Sequence, residues 1–290
     1  MPAQIIDGTK IAAEVRAEVA ERVARLRERG VVPGLTVILV GDNPGSAIYV
    51  RNKERAANEV GIVGQTLRLP TGVSEAELLD LVCQQNEDPS VHGLLVQTPL
   101  PPQIDQERVM ASLNPAKDVD GLHPENLGWL LLGNPRFVGA TPLGVQQMLL
   151  RSGIDPSGKH VVICGRSEIV GRPLAALMLQ KREGANATVT VCHTGTRDLA
   201  HHTRQADILV AAIGRPRAIT ADMVQPGAVV IDVGINTIPD PSRRSGQRTV
   251  GDVDFEAVSQ VAGAISPVPG GVGPMTIAML LSNAVQAAGG

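Results

Sequence analysis

Aromatic side chains are almost missing from this 290-residue chain: Trp129, Tyr49, Phe137 and Phe255 are all of them. The core must therefore be assembled from Val, Leu, Ile, Ala and Met, and the stacked aromatic platforms that hold single-stranded nucleic acid are excluded. Long apolar runs are missing too. The longest are of strand or short-helix length, below the roughly 18 to 20 residues that a bilayer-spanning helix requires. No block of like charge occurs, and a net charge of −3 supplies no basic field for a phosphate backbone. Neither nucleic acid nor membrane is an expected partner; a small molecule is. The three cysteines, Cys83, Cys164 and Cys192, are far apart and share no CxxC spacing. That argues against a disulfide framework and against a thiolate metal site, so they read as reduced, small core residues and no metal is expected. The N-terminal Met-Pro-Ala-Gln-Ile-Ile-Asp-Gly lacks the basic start and apolar run of a secretory signal, which makes the cytoplasm the expected address.

What is present is a globular balance, 43% hydrophobic and 19% charged, in a chain long enough for two domains. Ile11, Val15, Val19, Val23 and Leu26 recur at helical spacing over 9–29, and Gly30 stops the run. Strands near 35–40, 65–69 and 92–97 then alternate with helices over 46–59 and 74–85, a βαβ pattern of buried parallel strands. The segment 99–137, richer in Pro, Asn and Gly, reads as the edge of the first domain with active-site loops. After a helix over 142–152 a second α/β unit follows, with strands near 160–164, 187–192, 207–212 and 228–233. Residues 240–248 read as an exposed loop, and the chain closes with a helix over 275–287.

Val161-Val162-Ile163-Cys164 runs into Gly165-Arg166-Ser167 and on to Gly171-Arg172-Pro173, the strand, glycine turn and helix order of a Rossmann dinucleotide site. Ser167 stands where GxGxxG would have its second glycine. An NAD site usually places a carboxylate near the end of the next strand for the ribose 2′-hydroxyl. Here Thr188–Cys192 is followed by His193, Thr194 and Thr196, while Arg166 is available for a 2′-phosphate, so NADP is expected. His193 is either part of that site or a hydrogen-bonding residue of the loop.

Tyr49 and Lys53 are separated by four residues on one helix face, just after the first strand, and Tyr49 is the only tyrosine. They are either a solvated pair or the start of an active site. Gln97 ends a strand before Thr98-Pro99-Leu100-Pro101, as an ordinary exit amide or as a crevice residue. Asp118 and Asp120 flank Val119 ahead of Gly121 and either cap a turn or bind a polar heterocycle. Pro267-Val268-Pro269-Gly270-Gly271-Val272-Gly273-Pro274-Met275-Thr276 ends in no Gly-Lys-Ser/Thr and is no nucleoside-triphosphate loop, but its backbone at Pro269, Gly270 and Gly271 can lie close to a ligand. His201 and His202 are adjacent and cannot share a helix face as metal ligands would.

In order and spacing these segments, together with 227–236, resemble the bifunctional methylenetetrahydrofolate dehydrogenase/cyclohydrolase family over almost the whole chain. The resemblance implies two α/β domains, the second a Rossmann-type dinucleotide-binding domain, with a folate cleft between them. Residues 1–139 plus 271–290 would form the substrate and catalytic domain, and 140–270 the NADP-binding domain. It implies oxidation of 5,10-methylenetetrahydrofolate and hydrolysis of the methenyl product to 10-formyltetrahydrofolate, ahead of purine, methionine and histidine biosynthesis, by a homodimer formed through the cofactor domain. Lys53 corresponds to the family's catalytic lysine, with Tyr49 and Gln97 its neighbours and Asp120 the carboxylate on the folate ring. Gly165, Arg166, Ser167, Thr194 and Ile235 correspond to cofactor contacts. Thr98, Ala140 and Thr194 depart from the leucine, cysteine and serine common at those positions. The ATP-dependent formate-activating domain of some relatives has no counterpart, so no ligase activity is expected. Rival readings are a shikimate-type NADP dehydrogenase, a non-catalytic dinucleotide-binding regulator, and a cyclohydrolase without hydride transfer.

Overall fold

A computed structural model describes residues 2–243 and 246–290. In chain order the elements are β1 (Gln4–Ile5), α1 (Gly8–Glu28), β2 (Gly34–Val40), α2 (Pro44–Glu59), β3 (Val63–Leu69), α3 (Glu75–Glu87) and β4 (Gly93–Gln97). Then come α4 (Gln106–Ser112), α5 (Pro124–Leu131), α6 (Ala140–Arg151), β5 (His160–Cys164), α7 (Gly171–Met178), β6 (Thr188–Cys192), α8 (Leu199–Thr203), β7 (Ile208–Ala211) and β8 (Val229–Asp232). The last are β9 (Asn236–Pro239), β10 (Gln247–Val250), α9 (Phe255–Val258), β11 (Ala264–Ile265) and α10 (Val272–Ala287). The chain divides into two compact units, one of Ala13–Ala140 with Ile277–Gly290, the other of Thr141–Thr276 with the residues up to Ala12.

The unit holding Ala13–Ala140 is built on a parallel three-stranded sheet in the order β3-β2-β4. β2, Gly-Leu-Thr-Val-Ile-Leu-Val, is buried at all seven positions. Ile38 and Val40 pack with Leu78, Val82, Leu94 and Val109 on one face, while Val37 and Leu39, which alternate with them, are equally buried. Each such side chain contributes about 1.5–3 kcal/mol of burial. β3 is different from the buried strand expected: it is an edge strand and alternates exposed and half-buried positions. Cys83 is likewise exposed rather than in the core. Leu78 and Val82 give the inner face of α3, and the residue after Val82 is turned about 100° away from it.

The 99–137 segment contains two helices where loops were expected. Asp105 Oδ1 accepts from the Glu107 and Arg108 amides at 3.0 and 3.2 Å to start α4. His123 Nδ1 accepts from Glu125 N at 3.0 Å ahead of Pro124 at the first position of α5. α10 ties the exit of this segment down: the buried Asn283 Nδ2 donates to Val119 O at 2.8 Å and to Val138 O at 2.9 Å.

The other unit carries a six-stranded parallel sheet in the order β1-β11-β8-β7-β5-β6. From β5 the chain moves outward to β6 and then returns to β7 on the opposite side, so the strand order reverses at β5. The crevice beyond the carboxyl ends at such a reversal is where ligands of open α/β sheets bind. β1 joins this sheet by pairing with β11, so residues 2–12 cluster here, where the sequence had suggested the first domain. Of the 240–248 stretch read as an exposed loop, Gln247 and Arg248 belong to β10 and pair antiparallel with Pro239 and Ile238 of β9. Arg244 and Ser245 of that stretch lie outside the described residues. No helix among the described residues is long and apolar enough to cross a membrane.

Replacing Asn283 with Ala strips two buried carbonyls of their donor, a loss of about 2 kcal/mol or more. Urea unfolding followed at Trp129, the only tryptophan and a residue of the same unit, should show a lower midpoint. An unchanged midpoint would contradict the bridging role.

Candidate active site and dinucleotide crevice

α2 starts immediately beyond the carboxyl end of β2. Asn43 Oδ1 accepts from Ser46 N at 3.1 Å, and Pro44 occupies the first turn, where its missing donor has no cost. The helix turns Val50, Lys53, Ala56 and Ala57 inward. Lys53 is thus a lysine on an apolar face, only 4% exposed. Its Nζ donates to Gln97 Oε1 at 3.1 Å and lies 5.0 Å from the centre of the Tyr49 ring. Gln97 Nε2 donates to Thr98 O at 2.8 Å, which leaves the amide oxygen facing the lysine. Gln97 is the last residue of β4, in register with Leu39.

Lys53 is in no ion pair among the described residues. Burial pushes its ammonium below the usual lysine range, and the Asp120 charge partly restores it. The two aspartates therefore separate in role. Asp118 is fully buried; its Oδ2 accepts from His123 N and Asn126 Nδ2, both at 2.8 Å, and burial pushes its carboxyl up. It builds the loop. Asp120 is half-buried and acts on the lysine. Tyr49, Lys53, Gln97 and Asp120 are thus brought together in the unit that holds Ala13–Ala140.

The remaining candidates belong to the other unit. Gly165 has φ +143°, and a Cβ there would lie 2.1 Å from Ala212 O, so the β5 exit passes against the β7 exit at a distance only glycine permits. Gly171 closes on Gly165 O in the same manner. Ser167 Oγ accepts from Val170 N at 3.2 Å and shapes the turn, whereas α7 has no side-chain cap on its first amides. Arg166 and Thr194 are exposed. Arg166 has no carboxylate partner among the described residues; the neighbouring Glu168 pairs with Arg172 at 3.1 Å instead.

After β6, His193 acts within its loop: His193 N donates to Thr196 Oγ1 at 2.9 Å and Gly195 N donates to His193 Nδ1 at 3.0 Å. The next carboxylate, Asp198, caps α8 through His201 N. The β6 exit therefore offers no acid to a ribose 2′-hydroxyl, and an open turn with one free guanidinium suits a dinucleotide bearing a 2′-phosphate. Ile235, Pro269, Gly270 and Gly271 line one crevice of this unit, with Asp232 in its wall. Sequence reasoning passed over Asp232 and Asp252, both buried; their only signals were an acid ending the apolar run of β8 and another in Gly251-Asp252-Val253-Asp254.

A parallel sheet with a glycine turn at its reversal point defines a Rossmann-type dinucleotide-binding unit, joined in one α/β chain to a second unit that carries a buried lysine. The family can be stated directly. The tetrahydrofolate dehydrogenase/cyclohydrolase catalytic domain model matches residues 6–120, and the NAD(P)-binding domain model of the same family matches residues 139–289. The chain belongs to that family. It is 56% identical over 285 residues to a bifunctional protein FolD of Chlorobium phaeovibrioides, covering 97% of each. Among solved structures, the bifunctional enzyme FolD of Campylobacter jejuni, a methylenetetrahydrofolate dehydrogenase/cyclohydrolase, superposes with TM-score 0.93 at 46% identity over 99% of both chains. The corresponding Trypanosoma brucei enzyme, solved with NADP cofactor and an inhibitor, gives TM-score 0.94 at 40% identity over 100% of this chain and 98% of that one.

Burial pushes the Asp232 carboxyl up to about 6 against three backbone N–H donors, with the Asp252 charge adding to the rise. The folded unit then binds a proton more tightly than the unfolded chain between the ordinary carboxylate range and about 6, so its stability falls as pH rises through that window. The carboxyl-carbon resonance of Asp232 should titrate near 6; a midpoint at or below the ordinary aspartate value would contradict the burial argument.

Proposed function

We propose that the chain oxidises 5,10-methylenetetrahydrofolate with NADP and hydrolyses the methenyl product to 10-formyltetrahydrofolate, with Lys53 as the catalytic residue of the hydrolysis. The observation that carries this reading is a lysine ammonium buried on an apolar helix face with one neutral acceptor, Gln97 Oε1. Burial that lowers the pKa of the ammonium frees the amine to act as a base at a lower pH than an exposed lysine would. The positive methenyl group beside it lowers the pKa further. Lys53 takes a proton from water as the oxygen adds to the methenyl carbon, Gln97 holds the amine in place, and Tyr49 forms the wall on which it rests. Asp120, half-buried and felt by Lys53, accepts from the donor edge of the folate ring.

Substrate and catalysis are assigned to the unit that holds Ala13–Ala140 and the dinucleotide to the unit that holds Thr141–Thr276. NADP, when bound, supplies the hydride acceptor. Gly165, Arg166 and Ser167 hold its phosphates, Thr194 stands at the 2′-phosphate, and Ile235 packs on it beside Pro269, Gly270 and Gly271, whose backbone borders the substrate. The absence of an acid at the β6 exit and the free Arg166 support NADP over NAD. A homodimer through this unit fits the edge position of β6, with Val191 37% exposed on it and Leu179 56% exposed just after α7. A cytoplasmic enzyme supplying one-carbon units to purine, methionine and histidine biosynthesis completes the reading.

The test pairs NADPH formation from 5,10-methylenetetrahydrofolate with decay of supplied 5,10-methenyltetrahydrofolate in the absence of NADP. Lys53→Met should slow the decay by about 10²- to 10⁴-fold, the range for loss of a general base, while the Kd for NADP stays unchanged. The parent's hydrolysis should rise with pH through the lowered lysine pKa and level off below the ordinary lysine value. Equal loss of hydrolysis and of NADP binding would overturn the assignment.

A further inference from the structure

Six hydrogen bonds converge on two buried carboxylates behind the crevice that Ile235 lines. Asp252 Oδ2 accepts from Ile213 N at 2.5 Å and Gly214 N at 2.9 Å, and its Oδ1 accepts from Asn236 Nδ2 at 2.8 Å. Asp232 Oδ1 accepts from Gly234 N at 2.9 Å and from the Asp252 amide at 3.0 Å, and its Oδ2 accepts from Val253 N at 2.9 Å. Asp252 is 0% and Asp232 3% exposed. A Cβ at Gly251 would lie 1.8 Å from Asp232 Oδ2, so the chain is drawn against the carboxylates as closely as glycine allows.

These bonds connect the exits of β7 and β8 in the six-stranded sheet with the residues that follow β10 of the separate two-stranded sheet. Ile213-Gly214 leaves β7, the strand whose exit at Ala212 presses on the Gly165 turn. Asn236 follows Ile235 at the start of β9, and Asp252 itself lies beyond β10. Such a buried acid adds little to folding, because removing two carboxylates from water offsets much of what their bonds return. What it fixes is direction: two backbone donors of the β7 exit and the side-chain amide of Asn236 are locked to one rigid acceptor.

We propose that Asp252 is a positioning residue for NADP binding, clamping the exits of β7 and β8 so that the Gly165 turn and Ile235 stand preformed around the dinucleotide. The proposal rests on the dinucleotide reading above. Asp252 acts through Ile213, Gly214 and Asn236. The arrangement also predicts a specific rescue. In the exchange Asp252→Asn with Asn236→Asp, the new amide at 252 accepts from Ile213 and Gly214 through its oxygen and donates to the carboxylate at 236. Asn236→Asp alone sets a second carboxylate against Asp252 Oδ1.

The experiment measures the Kd for NADP by calorimetry, amide hydrogen exchange at Ile213 and Gly214, and cofactor-free hydrolysis of 5,10-methenyltetrahydrofolate, on the full chain. Asp252→Ala and Asn236→Asp should each raise the Kd about tenfold or more, the loss expected when hydrogen bonds to a charged acceptor are removed. Exchange at both amides should accelerate while hydrolysis is retained. The double exchange should recover most of the affinity and of the protection. A double variant no better than the single ones, or Asp252→Ala with parental Kd and protection, would overturn the positioning role. A parent chain that binds no NADP would overturn the dinucleotide reading itself and this inference with it, whereas a parent that binds NADP with variants that do so equally would overturn this inference alone.

Discussion

A positive charge held out of water organises the first unit. Lys53 projects from α2 into an apolar neighbourhood, and its ammonium is satisfied by a single amide oxygen instead of a carboxylate. An isolated buried charge is expensive, and the group responds by releasing its proton more readily. Everything around it maintains that condition. The Asn43 cap and Pro44 start α2 at the β2 exit, Gln97 closes β4 with its oxygen turned inward, and Asp118 is spent on His123 and Asn126 so that Asp120 alone faces the lysine. A full ion pair in place of Gln97 would hold the proton on Lys53 and remove the basicity that hydrolysis requires.

The second unit meets a different demand, since a dinucleotide needs donors and close backbone rather than a base. Its sheet reverses at β5, and the glycine turn there presses on the β7 exit. The loops after β7 and β8 each keep one backbone bond to a neighbouring strand, Ala212 N to Cys164 O and Val233 N to Ala211 O, and need further anchoring beyond it. Buried aspartates perform that service, and their cost in desolvation appears as the raised Asp232 pKa. The buried acids of this unit hold its loops through backbone donors.

The long elements were legible in the sequence because their periodicity is strong: the 3.6-residue spacing of α1 and the uninterrupted apolar runs of β2, β4, β5, β7 and β8 survive any context. The short ones were not. β1 and β11 are two residues each and depend on strand partners distant in sequence, β1 on β11 and β11 on β8 as well; α4 and α5 lie in a Pro- and Asn-rich segment whose caps, Asp105 and His123, read equally well as turn residues. The exposure of β3 was not legible, since sequence reports apolar content but not how a strand is covered, and β4, the other edge of the same sheet, is buried. Cys83 shows the same limit, because burial of a helix residue depends on the angle its Cβ takes. Within the site, Tyr49, Lys53 and Gln97 were found by spacing and strand ends, but choosing Asp120 over Asp118 needed the resemblance. Asp252 was missed because its partners are backbone amides 38 and 39 residues away, which leave no pattern in the sequence.

The most direct test of the account is to titrate Lys53 itself. In the full chain with lysine carbon-labelled at Cε, the Lys53 resonance, assigned by its loss in Lys53→Met, should move with a midpoint clearly below the ordinary lysine value and move lower still when Asp120 is replaced by Asn, since Asp120 supports the charged form. A midpoint at or above the ordinary value, indifferent to Asp120, would mean that the ammonium is neither desolvated nor coupled as described, and the basis for Lys53 as a base would be gone.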